Sequence, residues 1–205
     1  MATQLIDILA QFVINTIDQI GYVGVFVLMA LESCGVPVPS EVIMPFSGFV
    51  VFSGQMMFWV VVLIGALGNL VGSWIAYWIG YRGGRPLIEK YGKYILISHH
   101  DLDLADRWFK KHGEWAVFIG RLLPIVRTYI SFPAGIAEMN FKKFSYFTFG
   151  GAFIWSALFA WLGVKMGGNW SSIRETLHNF DLLIAVLIIL FIGLYIWRHI
   201  RLSRK

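Results

Sequence analysis

In 205 residues there are 17 Lys and Arg, 12 Asp and Glu, and 58% hydrophobic side chains, with a mean hydropathy of +0.68. A soluble domain would carry about a quarter charged residues and could not bury this much apolar surface in one core. Soluble globular, disordered, collagenous and disulfide-rich classes are excluded, and the chain reads as an all-α polytopic membrane protein with room for five or six segments of about 20 residues.

Residues 1–20 carry apolar side chains at 5, 6, 8, 9, 12, 13, 17 and 20, with Gln4, Asp7, Gln11, Asn15 and Asp18 between them. This pattern predicts an amphipathic helix lying on the membrane interface. No basic residue precedes its apolar part and no small-residue cleavage site follows, so no cleaved signal peptide is expected.

Residues 21–84 form a first unit. The apolar stretch from Gly21 to Gly54 is interrupted by CGVPVPSE at 34–41. Pro37 and Pro39 supply the break, because proline lacks an N–H and clashes with the preceding turn. Each half holds about a dozen residues, roughly 18 Å of helix, or half a bilayer. Met57 to Gly80 is uncharged and long enough to span. Cys34 is the single cysteine, which excludes an intramolecular disulfide or a cysteine-based zinc cluster.

Residues 85–112 read as a cytoplasmic linker and helix. Arg82, Arg85, Lys90, Lys93, Arg107, Lys110 and Lys111 cluster there, and a capped helix follows Ser98, with acids at its start and bases at its end. Lys142–Lys143 and the tail Arg198, Arg201, Arg204 and Lys205 are the other basic groups. All three are assigned to the cytoplasm, which puts the C-terminus inside.

Residues 113–168 form a second unit. Since the first basic cluster and Lys142–Lys143 are both inside, the apolar run from Glu114 to Phe141, broken at Pro124, must enter and leave by the same face. It reads as re-entrant, and by the same logic so does the run before Gly54. Phe144 to Leu162 then spans outward, a last helix at 180–197 returns, and 198–205 is the basic cytoplasmic tail.

The two units resemble each other. GYVGVF at 21–26 matches GEWAVF at 113–118, PFSG at 45–48 answers FPAG at 132–135, and at an offset of 83 Gly68, Ser73, Trp78, Gly80, Arg82 and Gly84 fall on Gly151, Ser156, Trp161, Gly163, Lys165 and Gly167. Each repeat is a re-entrant helical hairpin plus one transmembrane helix. One crossing per repeat inverts the second copy, a pattern of transporters with a midplane site. Gly65, Gly68 and Gly72, with Gly80 and Gly84, allow close helix approach, within the fold or in a homo-oligomer.

Four ionisable residues remain at membrane depth, each costing at least ~2.5 kcal/mol if charged on a lone helix. Glu32 and Glu41 flank Pro37 and Pro39; Arg121 and Arg127 flank Pro124. Opposed hairpins would bring the four together. Unwound tips need protein or a watery cavity around them. The half-helices starting near Ser40 and near Arg127–Thr128 would aim N–H groups into that cavity, which suits a phosphate. Arg121 and Arg127 add planar recognition of phosphate, with Ser40 and Thr128 beside them as substrate-binding candidates. Glu32 and Glu41 are the expected proton-coupling groups.

ESCGVPVPSE with PFSG, then GRLLPIVRTYISFPAG, closely resembles the DedA family of bacterial inner-membrane proteins, also called the VTT or SNARE-associated domain family. The likeness covers about residues 20–170. It implies two opposed re-entrant hairpins, an acidic pair at Glu32 and Glu41, an arginine pair at Arg121 and Arg127, and lipid transport across the bacterial cytoplasmic membrane. Undecaprenyl phosphate, phosphatidylethanolamine and other phospholipids are the family's cargo, and dependence on the proton motive force is associated with several members.

A lipid flippase for a phosphate-bearing lipid, coupled to protons, is therefore the expected function. A proton-dependent small-ion or drug antiporter could use the same charges. An enzyme acting on lipid phosphates is not expected: His99, His100, His112, His178 and His199 fall in polar loops or near the tail, and no Gly-x-Ser-x-Gly elbow or Walker loop is present. No cofactor, metal or nucleic-acid partner is expected.

Overall fold

In a computed structural model of the protein, residues 2–36, 38, 40–95, 115–123 and 126–167 are described, those at 2–10 and 84–95 by their helical backbone. The chain divides into two units, Met1–Lys165 and Met166–Lys205. The expected breaks at Pro37, Pro39 and Pro124, the helix after Ser98, the span 180–197, the tail 198–205 and all five histidines lie outside the described residues. The described elements are helices: α1 (Ala2–Ile20), α2 (Tyr22–Ser33), α3 (Ser40–Phe52), α4 (Phe58–Ile95), α5 (Trp115–Arg121), α6 (Val126–Tyr129), α7 (Ser131–Ile136) and α8 (Phe141–Met166).

Helix α1 buries Val13 and Ile17, four residues apart, and leaves Phe12 and Ile20 exposed. A side chain on Gly24 of α2 would meet the Thr16 carbonyl at 2.9 Å, so glycine there lets the two backbones touch. Helices α2 and α3 form a hairpin. The Met57 N–H donates to the Tyr22 hydroxyl at 2.8 Å, which joins the start of α2 to the chain just after α3, while Glu32 and Ser40 are hydrogen-bonded at the other end. Helix α2 closes in a Schellman cap, with Gly35 at φ 97° and the Val36 N–H bonded to the Leu31 carbonyl at 3.1 Å; only glycine takes that backbone without strain.

The second hairpin is shorter. Helix α5 has seven residues, and α6 and α7 together return as a nearly continuous helix through bonds from Ile130 N–H to Val126 and from Ala134 N–H to Ile130. A cluster of Tyr77, Ala116, Val117, Ile130, Ala134 and Phe144 packs this hairpin onto α4 and α8.

Two helices are long and apolar enough to cross a membrane, Phe58–Gly83 and Phe141–Met166. They run antiparallel: the Trp74 indole donates to Ser145 at 2.9 Å, near the end of one span and the start of the other. Helix α4 does not stop at the basic cluster but continues to Ile95, 38 residues in all. That is about 57 Å of helix, more than a hydrocarbon core of about 30 Å can contain.

The outgoing arm of each hairpin rests on the span of the other half. Where α3 crosses α8, Gly48 lies against the Ala160 carbonyl and Gly163 against the Pro45 carbonyl. Where α7 crosses α4, Gly135 lies against the Tyr77 carbonyl and Gly80 against the Phe132 carbonyl. In both crossings each glycine faces the carbonyl three residues before its partner glycine. Incoming arms stay with their own half: Gly68 faces the Phe26 carbonyl and Gly151 faces Arg121 and the Phe118 carbonyl. Between lipid-embedded helices, where burial from water drives little, such close backbone contact is the main source of attraction.

Candidate functional site

The hairpin ends meet between α4 and α8. The last turn of α2 brings Glu32 and Ser33, the first turn of α3 brings Ser40 and Glu41, and the middle of α4 contributes Asn69 and Ser73. Facing them are Arg121 at the end of α5, Arg127 and Thr128 on α6, and Ser131 at the start of α7. The structure thus brings together all four charges singled out in the sequence, with Ser40 and Thr128 among them.

Glu32 is 4% exposed and accepts five hydrogen bonds. Its Oε1 takes Arg127 Nη2 at 3.2 Å, Thr128 Oγ1 at 3.0 Å and Ser40 Oγ at 3.5 Å; Oε2 takes Ser33 Oγ at 3.2 Å and Asn69 Nδ2 at 3.4 Å. Glu41 is less enclosed, its side chain 17% exposed, and accepts from the same Arg127 Nη2 at 3.1 Å. Ser40 Oγ sits 3.5 Å from both carboxylates, and its one proton can serve only one at a time.

The two arginines are held differently. Arg121 is 1% exposed and bonds no carboxylate among the described residues. Its Nη1 donates to Asn69 Oδ1 at 3.2 Å and to the Arg127 carbonyl at 2.9 Å, and its Nη2 donates to Ser73 Oγ at 2.8 Å and Ser131 Oγ at 2.5 Å. Asn69 takes a bond from Arg121 on its oxygen and gives one to Glu32 from its nitrogen, linking an acid and a base that do not meet. Arg127 instead serves both carboxylates with a single nitrogen, and its guanidinium carbon lies 4.4 Å from the centre of a Trp155 ring.

Asn69, Ser73, Ser131, Ser33 and Trp155 did not stand out in the sequence. Asn69 and Ser73 carried a signal in retrospect, as polar residues four apart, one helical turn, in an otherwise apolar span. The formal charges of the two acids and two arginines sum to zero, and Glu32, Arg121 and Arg127 are buried, so a lost partner is costly and an exchanged one is strongly felt.

A family model described as VTT domain matches residues 38–165. An uncharacterized membrane protein, YkoX of Bacillus subtilis, is 39% identical over 93% of this chain and 85% of its own length. Undecaprenyl phosphate transporter A of the same organism is 36% identical over 89% of this chain and 90% of its own, and the protein of that name from Staphylococcus aureus is 31% identical over 93% and 96%. No solved structure gives a significant match.

Proposed function

We propose, since this chain belongs to the VTT-domain family of membrane proteins, that it carries a phosphate-bearing lipid across the bacterial cytoplasmic membrane. The observation that carries the reading is Arg127, buried between two carboxylates that share one of its nitrogens. When Glu41, the more exposed acid, takes a proton, the cluster gains a net positive charge while Glu32 still holds Arg127. A phosphate oxygen then replaces Glu41 on the guanidinium, with Thr128 and Ser40 as neutral partners. Arg121 adds its charge and holds the loop. The lipid tails stay in the bilayer, and loss of the proton on the far side releases the head group. Undecaprenyl phosphate is the favoured cargo, because two relatives similar over most of their length carry that name; a glycerophospholipid would present the same phosphate.

The alternating geometry rests on two re-entrant hairpins entering from opposite faces as inverted repeats. Supporting this are the matching glycine crossings: Gly80 and Gly163, related by the offset of 83, and Gly48 and Gly135, the last residues of PFSG and FPAG, make corresponding contacts. Orientation follows the basic residues, with the C-terminus in the cytoplasm.

The test is translocation in vesicles by the purified full chain, comparing labelled undecaprenyl phosphate with undecaprenol. The phosphate form should move and the alcohol should not. Arg127→Lys, which keeps the charge but loses the fork and the stacked face, should slow transport by about tenfold or more. Glu41→Gln should remove the acceleration that a pH gradient gives the wild type. Wild-type rates for Arg127→Lys, or equal transport of lipid and alcohol, would overturn the proposal.

A further inference from the structure

Arg127 buries an N–H that it does not use. Its Nη2 meets both acids, but its Nε is buried without a hydrogen-bond partner among the described residues. The same holds for the indole Nε1 of Trp155, the ring against which the Arg127 guanidinium stacks at 4.4 Å. Trp155 is 8% exposed and Arg127 is 3% exposed, so water does not reach them freely. Among the described residues, the buried side-chain polar atoms without a partner are Arg121 Nε, Arg127 Nε, Thr148 Oγ1, Trp155 Nε1 and Ser156 Oγ. All belong to the two guanidiniums or to α8. Two of the five, Arg127 Nε and Trp155 Nε1, belong to one stacked pair beside the acids.

We infer that Trp155 is a ligand-binding residue, its indole N–H forming with Arg127 Nε a seat for one anionic oxygen of the lipid phosphate on the α8 side of the site. The donor chemistry selects the occupant. An indole N–H and a guanidinium N–H can only donate, so what satisfies them must bring lone pairs. Native structures seldom leave buried donors unmet unless a ligand or ordered water fills the place. The adjoining guanidinium charge favours an anion over water once Glu41 no longer cancels it. A phosphate with several acceptor oxygens can span both sides of the Arg127 plane edge, one oxygen replacing Glu41 at Nη2 and another entering the α8 seat. The aromatic face contributes separately, holding the guanidinium flat so that Nε and Nη2 remain aimed at different oxygens.

This inference rests on the transport reading, and its test separates the two. Full-chain protein carrying nitrogen-15 indoles is titrated in detergent with dihexanoyl phosphatidate and, in parallel, with dihexanoylglycerol, which has no phosphate. The Trp155 resonance, identified by its disappearance in Trp155→Phe, should move downfield and saturate with phosphatidate alone. Trp155→Phe keeps a ring under Arg127 and removes the donor; it should weaken phosphatidate binding by about tenfold, the effect of one charge-assisted bond. Should that variant misfold, benzothienylalanine at position 155 preserves the ring outline while replacing the N–H by sulfur, and the same weakening is expected. A resonance that stays fixed at saturation, or moves equally with dihexanoylglycerol, overturns the inference, as does unchanged affinity in the ring-preserving variants. If transport still depends on Arg127 in that case, the proposed function stands and only the α8 seat is lost; if Arg127→Lys transports normally, the proposed function itself fails.

Discussion

Arg121→Ala is expected to yield little folded protein, and what can be purified should unfold at a markedly lower temperature than wild type. The truncation strips donors from Asn69 Oδ1, Ser73, Ser131 and the Arg127 carbonyl at once. It also leaves Glu32, Glu41 and Arg127 with a net negative charge in a buried site. Breaking a buried charged network by removing one partner costs about 3–5 kcal/mol, a large part of a total stability of roughly 5–15 kcal/mol. Arg121→Lys should be intermediate, since an ammonium has three donors for four acceptors and cannot present them in one plane. Arg127→Lys, in contrast, should remain folded while transport falls. Size-exclusion profiles and thermal unfolding in detergent read the difference. A wild-type unfolding midpoint for Arg121→Ala would show that the network does not hold the second hairpin in place.

Gly163→Ala and Gly135→Ala should destabilise the protein nearly as much, although each adds one methyl group. At Gly163 the new Cβ would lie 2.8 Å from the Pro45 carbonyl carbon, and at Gly135 2.9 Å from the Tyr81 nitrogen. Both obstacles are backbone in a packed helix, so relief requires the helices to separate. Overpacking of this kind costs about 1–3 kcal/mol, at times more, and opening the crossing also gives up its close contacts. The control is Gly150→Ala on the same α8, where the nearest atom is a Phe118 ring carbon at 3.7 Å. There the better helix propensity of alanine, up to about 1 kcal/mol, should leave stability unchanged or raised. Thermal midpoints of the three variants decide the matter, and equal midpoints would remove the crossings as stability determinants.

The site was legible in the sequence to the extent that it was charged. Glu32, Glu41, Arg121 and Arg127 stood out because ionisable groups in apolar sequence are expensive, and that expense is visible without coordinates. Their supports were not visible. Asn69, Ser73 and Ser131 are small polar residues of a kind that membrane helices tolerate anywhere, and Trp155 resembled the rest of the aromatic content. Asn69 and Ser73 act through contacts with residues 37 to 52 positions away, Ser131 through a bond to Arg121 10 positions away, and Trp155 through a stack against Arg127. The cap that closes α2 was not visible for a related reason. Prolines announce a break, but the Gly35 cap completes one before Pro37 is reached, and a single glycine in apolar sequence carries no mark of its φ. Likewise α4 runs on to Ile95, past Gly80 where the uncharged stretch ends, because a change of polarity does not by itself stop a helix.

The exchange of outgoing arms between the two halves has a consequence for the order in which the chain can be assembled. Helix α3 is complete once Phe52 has been added, yet the surface it rests on, around Ala160 and Gly163, is about 110 residues downstream. At roughly 5–20 residues per second this is a wait of about 5–20 s. For well over half of that interval neither Arg121 nor Arg127 exists, so Glu32 and Glu41 have no cation to oppose them, and a position at the bilayer centre is costly for them. The first hairpin therefore settles to its final depth only as the second is inserted. Biogenesis should pass through a half-made protein whose N-terminal repeat is still shallow and open to proteolysis, and truncation before α8 should be more damaging than the loss of one helix would suggest.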